Sequence, residues 1–387
     1  MNPLTDRPSP ALLPMGFVDL LPGEAEAEAA GIAGVMEIFA RHGYERVRPP
    51  LLEYESSLLS GAGEALAEQS FRLLDPASHR MMALRPDMTT QIARMASVRL
   101  SDQPRPLRLS YSGDCVQVGT AGRETDRQVP QVGLELIGPD LPAADAEVVA
   151  VGAEALDFLG IDGISFDLSI PALVWALLEE VPAAQRVPLV NALDRRDAAA
   201  VAQHAGAQAG LFLALMQAAG NADSALEKLE QLDLPEALAG HVQRLRASIE
   251  AIGKRVPGLK LTVDPADFRG WRYHTGICMT VFSTRSREEL GRGGRYLAGN
   301  EPACGLTLRP QALLRVARLP VPRPRCLVPE TLPQASRQAL HEAGYATVSA
   351  LAAPESPGGE SLPEAMRTLA RKLCCSHVWQ NGKVQVL

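Results

Sequence analysis

One long stretch decides the fold class of this 387-residue chain. From about Pro171 to Pro257 the sequence is rich in Ala, Leu, Gln and Glu and reads as helix throughout. Strand-like runs stand on both sides of it: GISFDLSI before, and LKLTVD, ICMTVFS and ACGLTL after. Helices inserted between runs of strands give the order of an α+β chain with a mostly antiparallel sheet. That order excludes a doubly wound nucleotide fold, and neither a G-x-G-x-x-G nor a P-loop follows a strand anywhere.

The remaining segments fill in this outline. Residues 1–14 are Pro-rich and polar and are expected to be mobile. A Glu/Ala-rich helix is predicted from near Pro22, with Ile32, Val35, Met36 and Phe39 on one face and Gly43 as its cap. Arg108 to Gly138 reads as two alternating strands joined by a polar loop that carries Arg123, Glu124 and Arg127. Helix AADAEVVAVGAEALDFLG follows. After the Pro-rich linker Leu319 to Arg325, a short βαβαβ-like tail runs to Leu387, and no internal repeat is present. The predicted organisation is a core over 15–319, with a helical insertion at about 171–257, and a small α/β region over 320–387.

Composition narrows the function. A net charge of −7 argues against tRNA or other nucleic acid as a partner, because phosphate contacts supply most of that affinity. Six cysteines without a C-x-x-C pair or a histidine cluster point to free thiols, with no metal and no disulfide framework. No apolar signal segment opens the chain and no run is long enough to span a bilayer, so a cytoplasmic protein is expected.

Four pieces could carry chemistry. In QVGLELIG, Val132, Leu134 and Leu136 share one face, and Gln131, Gly133 and Glu135 the other. That polar face is either the floor of a small pocket, with Gly133 leaving room for a ligand, or an ordinary solvent face. Asp87 in LRPDMTTQ caps a helix or, with Thr89, holds a ligand ammonium. DFRGWRYHTGIC gathers Arg269, Trp271, Arg272, Tyr273 and His274, which suits carboxylate or phosphate recognition or forms a surface cluster. GRGGRY, ending at Tyr296, reads as a flexible cationic turn between two strands.

Together and in this order, GFVDLLPGE, GYERVRPPLLE, LRPDMTTQIAR, QVGLELIG, RGWRYHTG and GGRY resemble the class II aminoacyl-tRNA synthetases, specifically histidyl-tRNA synthetase, over Gly16 to Leu319. The resemblance implies an antiparallel sheet flanked by helices, the helical insertion standing where that family carries its insertion domain. It implies a histidine site made by Asp87, Thr89, Gln131, Glu135, Arg269, Tyr273, His274 and Tyr296. Asp87 stands where the family has glutamate, and His274 where it has a second tyrosine. The positions that grip ATP are altered. Gln117 replaces an arginine, Gly119 a glutamate, and Ala312 a further arginine, which removes charge-assisted bonds that adenylate formation needs.

A chain that keeps the amino-acid site and loses the adenylating arginines is similar to the regulatory-subunit family of ATP phosphoribosyltransferase. That resemblance implies a non-catalytic subunit without cofactor, which dimerises and joins a short-form catalytic subunit in a hetero-octamer. Its role would be in the first step of histidine biosynthesis, with histidine as feedback effector. The alternatives are an active histidyl-tRNA synthetase with substituted ATP contacts, Arg309 or Arg127 compensating, or a stand-alone histidine-sensing module.

Overall fold

A computed structural model describes residues 12–59, 61–119, 126–268, 273–318, 323–351 and 364–387. Most of the Pro-rich N-terminus, Arg123 and Glu124 of the hairpin loop, and Arg269, Trp271 and Arg272 lie outside them. The chain divides into two compact units, Met1–Leu319 and Pro320–Leu387.

The larger unit contains strands β1 (Glu45–Arg46), β2 (Leu52–Tyr54), β3 (Arg72–Leu74), β4 (Met81–Leu84), β5 (Leu107–Val116), β6 (Gln128–Ile137), β7 (Ile164–Ser169), β8 (Gly220–Asn221), β9 (Lys260–Val263), β10 (His274–Ser283), β11 (Ser286–Ala298) and β12 (Glu301–Leu308). Among the described residues nine of them form one sheet in the order β1-β5-β6-β12-β11-β10-β7-β9-β8. The pairs from β5 through to β7 are antiparallel, while β1 runs parallel to β5 and β9 parallel to β7. A second small sheet has the order β2-β4-β3.

The helix expected near Pro22 spans Glu24–Arg41. Its Ala- and Glu-rich sequence favours helix. Glu24 and Glu26 sit in the first turn and Arg41 in the last, where each charge suits the helix dipole. Gly43, at φ +78°, ends it in the left-handed conformation. Val35, Ile38 and Phe39 of this helix pack with Val148, Val149 and Leu156 of helix Pro142–Phe158. Both cover the face of the sheet that presents Leu134, Leu136, Leu306 and Phe166.

The block from Pro171 to Arg255 is helical apart from β8, which pairs with β9 at the sheet's edge. Its apolar residues, among them Phe212, Leu215, Leu226 and Leu245, belong to the same continuous cluster as the sheet's. A buried polar tie reinforces the join. Arg295 of β11 pairs with Asp145 at 2.7 Å and donates to the carbonyls of Pro139 and Leu141. Ser248 of helix Glu236–Arg255 donates to the other Asp145 oxygen at 2.6 Å. Phe166 is fully buried at the centre of this cluster. Phe166→Ala is therefore expected to destabilise the larger unit by about 3–5 kcal/mol, read as a shifted midpoint in urea unfolding.

GRGGRY is not a turn. Gly291 to Tyr296 lies inside β11, paired with β10 on one side and β12 on the other. The glycines are there because the neighbouring backbone is close: a Cβ on Gly291 would come within 2.6 Å of the Thr307 carbonyl oxygen. The smaller unit contains β13 (Arg325–Pro329), β14 (Ala346–Ala350), β15 (His377–Gln380) and β16 (Lys383–Val386), ordered β14-β13-β15-β16. The predicted βαβαβ tail thus gains a final strand, antiparallel to β15.

Candidate ligand site

The face of the sheet opposite the main core carries helix Thr89–Val98, packed through Met88, Ile92 and Ala96 on Leu109 and Tyr111. Beside this second cluster a cavity of about 360 Å³ opens over β6, β12, β11 and β10. That lies within the usual range for small-molecule sites. Asp87, Thr89, Gln131 and Glu135 line it, joined by Tyr273, His274 and Tyr296. The structure brings together every proposed histidine-site residue that it describes, Arg269 being outside the described set.

Glu135 is the floor. It is 1% exposed, which excludes the solvent-face reading of its strand. Tyr296 donates to one carboxylate oxygen at 2.9 Å and Tyr111 to the other at 3.2 Å. Burial pushes its carboxyl up to about 8, against the hydrogen bonds, which favour the ionised form. Burial likewise raises Asp87, although Gln131 and Thr89 donate to it. Two acidic groups held partly against ionisation in an enclosed polar site are suited to meeting a cationic ligand.

Asp87 lines the cavity and also braces the start of the helix, without being its cap residue. Its Oδ1 accepts from the backbone N–H of Thr89 at 2.8 Å, steadying the first turn, where Met88 is the cap. Its Oδ2 accepts from Gln131 at 2.9 Å. The Gln131 carbonyl oxygen in turn accepts from the Met88 N–H at 3.0 Å. Gln131 therefore couples the start of the helix to the central sheet. On the opposite wall Tyr273 stacks on His274 at 4.5 Å between ring centres and meets Tyr296 edge-on at 6.0 Å.

Gly133 has a different purpose from the one its sequence context gives. It pairs with Tyr111 across the hairpin, and a Cβ there would come within 2.5 Å of that ring. The space it leaves belongs to Tyr111, not to a ligand. Tyr111 is the residue that sequence reasoning missed: fully buried, with Thr307 at 2.8 Å and Thr89 at 3.2 Å from its hydroxyl. A glycine in a strand marks the close approach of something, and the facing aromatic was the candidate to examine. Gly305, opposite Glu135 on β12, was missed as well; a Cβ there would overlap the Glu135 carboxylate.

The altered ATP positions separate. Gln117 lines the cavity and donates to the Pro86 carbonyl at 3.0 Å. Gly119, at φ +89°, follows the end of β5. Ala312 is buried in the main core and is not among the residues lining the cavity. Of the two arginines offered as substitutes, Arg309 lines the cavity, whereas Arg127 sits over the Phe71 ring at 4.6 Å.

An antiparallel sheet with an acidic cavity on one face and helices on the other, entered by the strand–Asp87–helix segment, defines a class II synthetase-like core. The family model described as Histidyl-tRNA synthetase matches residues 16–313. A protein of Gluconobacter oxydans described as an ATP phosphoribosyltransferase regulatory subunit is 64% identical over 100% of both chains. One of Paramagnetospirillum magneticum with the same description is 47% identical over 94% of this chain and 97% of that one. A solved structure from Bacillus halodurans, described as an ATP phosphoribosyltransferase regulatory subunit/histidyl-tRNA synthetase, has the same fold. It superposes with a TM-score of 0.78 at 22% identity, covering 94% of this chain and 97% of that one. The chain belongs to the ATP phosphoribosyltransferase regulatory subunit family, within the histidyl-tRNA synthetase-like group. The resemblance drawn from its motifs holds.

Proposed function

We propose that this chain is the regulatory subunit of an ATP phosphoribosyltransferase, catalyses nothing by itself, and reports histidine to a short-form catalytic subunit from the cavity over β6 and β11. Assembly around self-dimers into a hetero-octamer and a cytoplasmic setting belong to the same reading. No helix among the described residues is long and apolar enough to cross a membrane. One observation carries the reading: the cavity keeps its buried acidic floor, while the wall position where the resemblance expects a phosphate-gripping arginine holds Gln117. Glu135 faces the imidazole and Gln131 steadies that side. Asp87 and Thr89 take the ammonium, Arg269 the carboxylate, and Tyr273, His274 and Tyr296 close the wall.

Feedback then requires that histidine bind one assembly state better than the other, and reciprocally that assembly change histidine affinity. The chain is expected to co-purify with the short catalytic subunit, to be required for phosphoribosyl transfer, and to make that transfer sensitive to histidine. Histidine-dependent ATP–pyrophosphate exchange by the purified chain alone would overturn the reading in favour of a synthetase. Histidine binding without any complex would move it to a stand-alone sensor.

A further inference from the structure

The cavity extends beyond the residues assigned to histidine. Strand register lays its floor out in rows: Tyr296 at one end, then Gly294 beside Gly305 and Glu135, then Arg292 beside Thr307. Four residues along β11 separate Tyr296 from Arg292, roughly 13 Å at strand spacing. Arg309, the first residue past β12, lines the cavity one row further on. Carboxyl and phenol groups therefore gather at one end, and two guanidinium groups at the other.

Both arginines are held by one acid. Arg292 places Nε and Nη2 at 2.5 Å from Oε2 of Glu289. Arg309 places Nη2 at 3.2 Å from Oε1 of the same carboxylate. The Glu289 side chain is only 11% exposed, so it is fixed between them. A guanidinium offers five N–H donors in a planar fork, and Glu289 uses only one side of the Arg292 fork. Nη1 of Arg292 has no hydrogen-bond partner among the described residues. Two forks reaching one cavity from neighbouring strands, held in register by a shared carboxylate, match the oxygens of a phosphate.

We infer that this end of the cavity binds the phosphate of a phosphomonoester, a second ligand distinct from histidine. The assignment rests on reading the cavity as the ligand site, and it deepens that reading. The regulatory site would then have two compartments, an acidic one for the amino acid and a cationic one for a phosphorylated small molecule. Two arginines sharing one acid suit a single phosphate group better than a polyphosphate chain.

Calorimetric titration of ribose 5-phosphate into the full chain tests this, with ribose and inorganic phosphate as controls, each with and without saturating histidine. Ribose 5-phosphate is expected to bind and ribose to give no heat. Binding of inorganic phosphate alone would show that the anion suffices, and its failure to bind would show that the sugar contributes; both agree with the proposal. Arg292→Gln is expected to weaken ribose 5-phosphate at least ~10-fold, through loss of charge-assisted bonds, while histidine affinity changes less than ~3-fold. Glu289→Gln is expected to tighten ribose 5-phosphate several-fold, because it releases the Arg292 guanidinium from its ion pair and removes a negative charge beside the phosphate. That gain decides the matter even if Arg292→Gln does not fold, and a purely structural Glu289 would not produce it. No heat with ribose 5-phosphate, or heats unchanged in both variants, would overturn the proposal. Loss of histidine binding from the unaltered chain, with ribose 5-phosphate still responding to Glu289, would instead overturn the histidine assignment alone.

Discussion

Gly305→Ala is expected to weaken histidine binding by roughly 100-fold, about 3 kcal/mol. The added methyl would occupy the position of the Glu135 carboxylate. Neither partner can easily give way. Gly305 is in the middle of β12, paired with Glu135 on one side and Gly294 on the other. Glu135 would have to leave the hydroxyls of Tyr296 and Tyr111, and a buried acid stripped of its donors costs on the order of 1–3 kcal/mol or more. The rest of the chain is not asked to move, so assembly with the catalytic subunit should persist. Calorimetry with histidine checks the affinity, and co-purification checks that the fold survived. Unchanged affinity would remove Glu135 from the site.

The second large effect concerns pH. The Glu135 carboxyl is held at about 8 in the folded empty protein, against an ordinary value of 4.5, chiefly by burial. Between those values the folded chain keeps a proton that the unfolded chain has released. Stability from this group is therefore fully present below ~4.5 and is lost as pH rises through ~8. The difference is on the order of 5 kcal/mol. The melting temperature of the empty protein is expected to fall from about pH 5 to about pH 8, and Glu135→Gln, which cannot titrate, should remove most of that fall. Saturating histidine should flatten the profile too, because a cationic ligand, with its ammonium at Asp87 and its imidazole at Glu135, favours the ionised forms of both acids. Melts across this range would decide it; parallel profiles for the two proteins would show that Glu135 does not carry the proton.

Much of the architecture was legible. The two-residue alternation of QVGLELIG placed Leu134 and Leu136 in the core and Glu135 on the other face, and both faces hold. The Ala- and Glu-rich run after Pro22 is the helix it was expected to be. What escaped depends on pairings between distant strands. Tyr111 meets Gly133 only once the hairpin register is known. Gly305 meets Glu135 only because β12 crosses back to lie beside β6. GRGGRY looked like a turn because glycine usually marks one, yet its glycines answer crowding between adjacent central strands. Local composition reports what a residue prefers; here the neighbour that uses the space lies far away in the chain.

The helices between Pro171 and Arg255 have one interior in common with the sheet, and Ser248 and Asp145 fasten them to it. The block is therefore not a removable ornament. A shortened chain without it would leave helix Pro142–Phe158 and strand β10 with an oily side facing water and the strand β9 with an open edge. Those are the two conditions under which sheet proteins stick to one another, so solubility itself depends on the block.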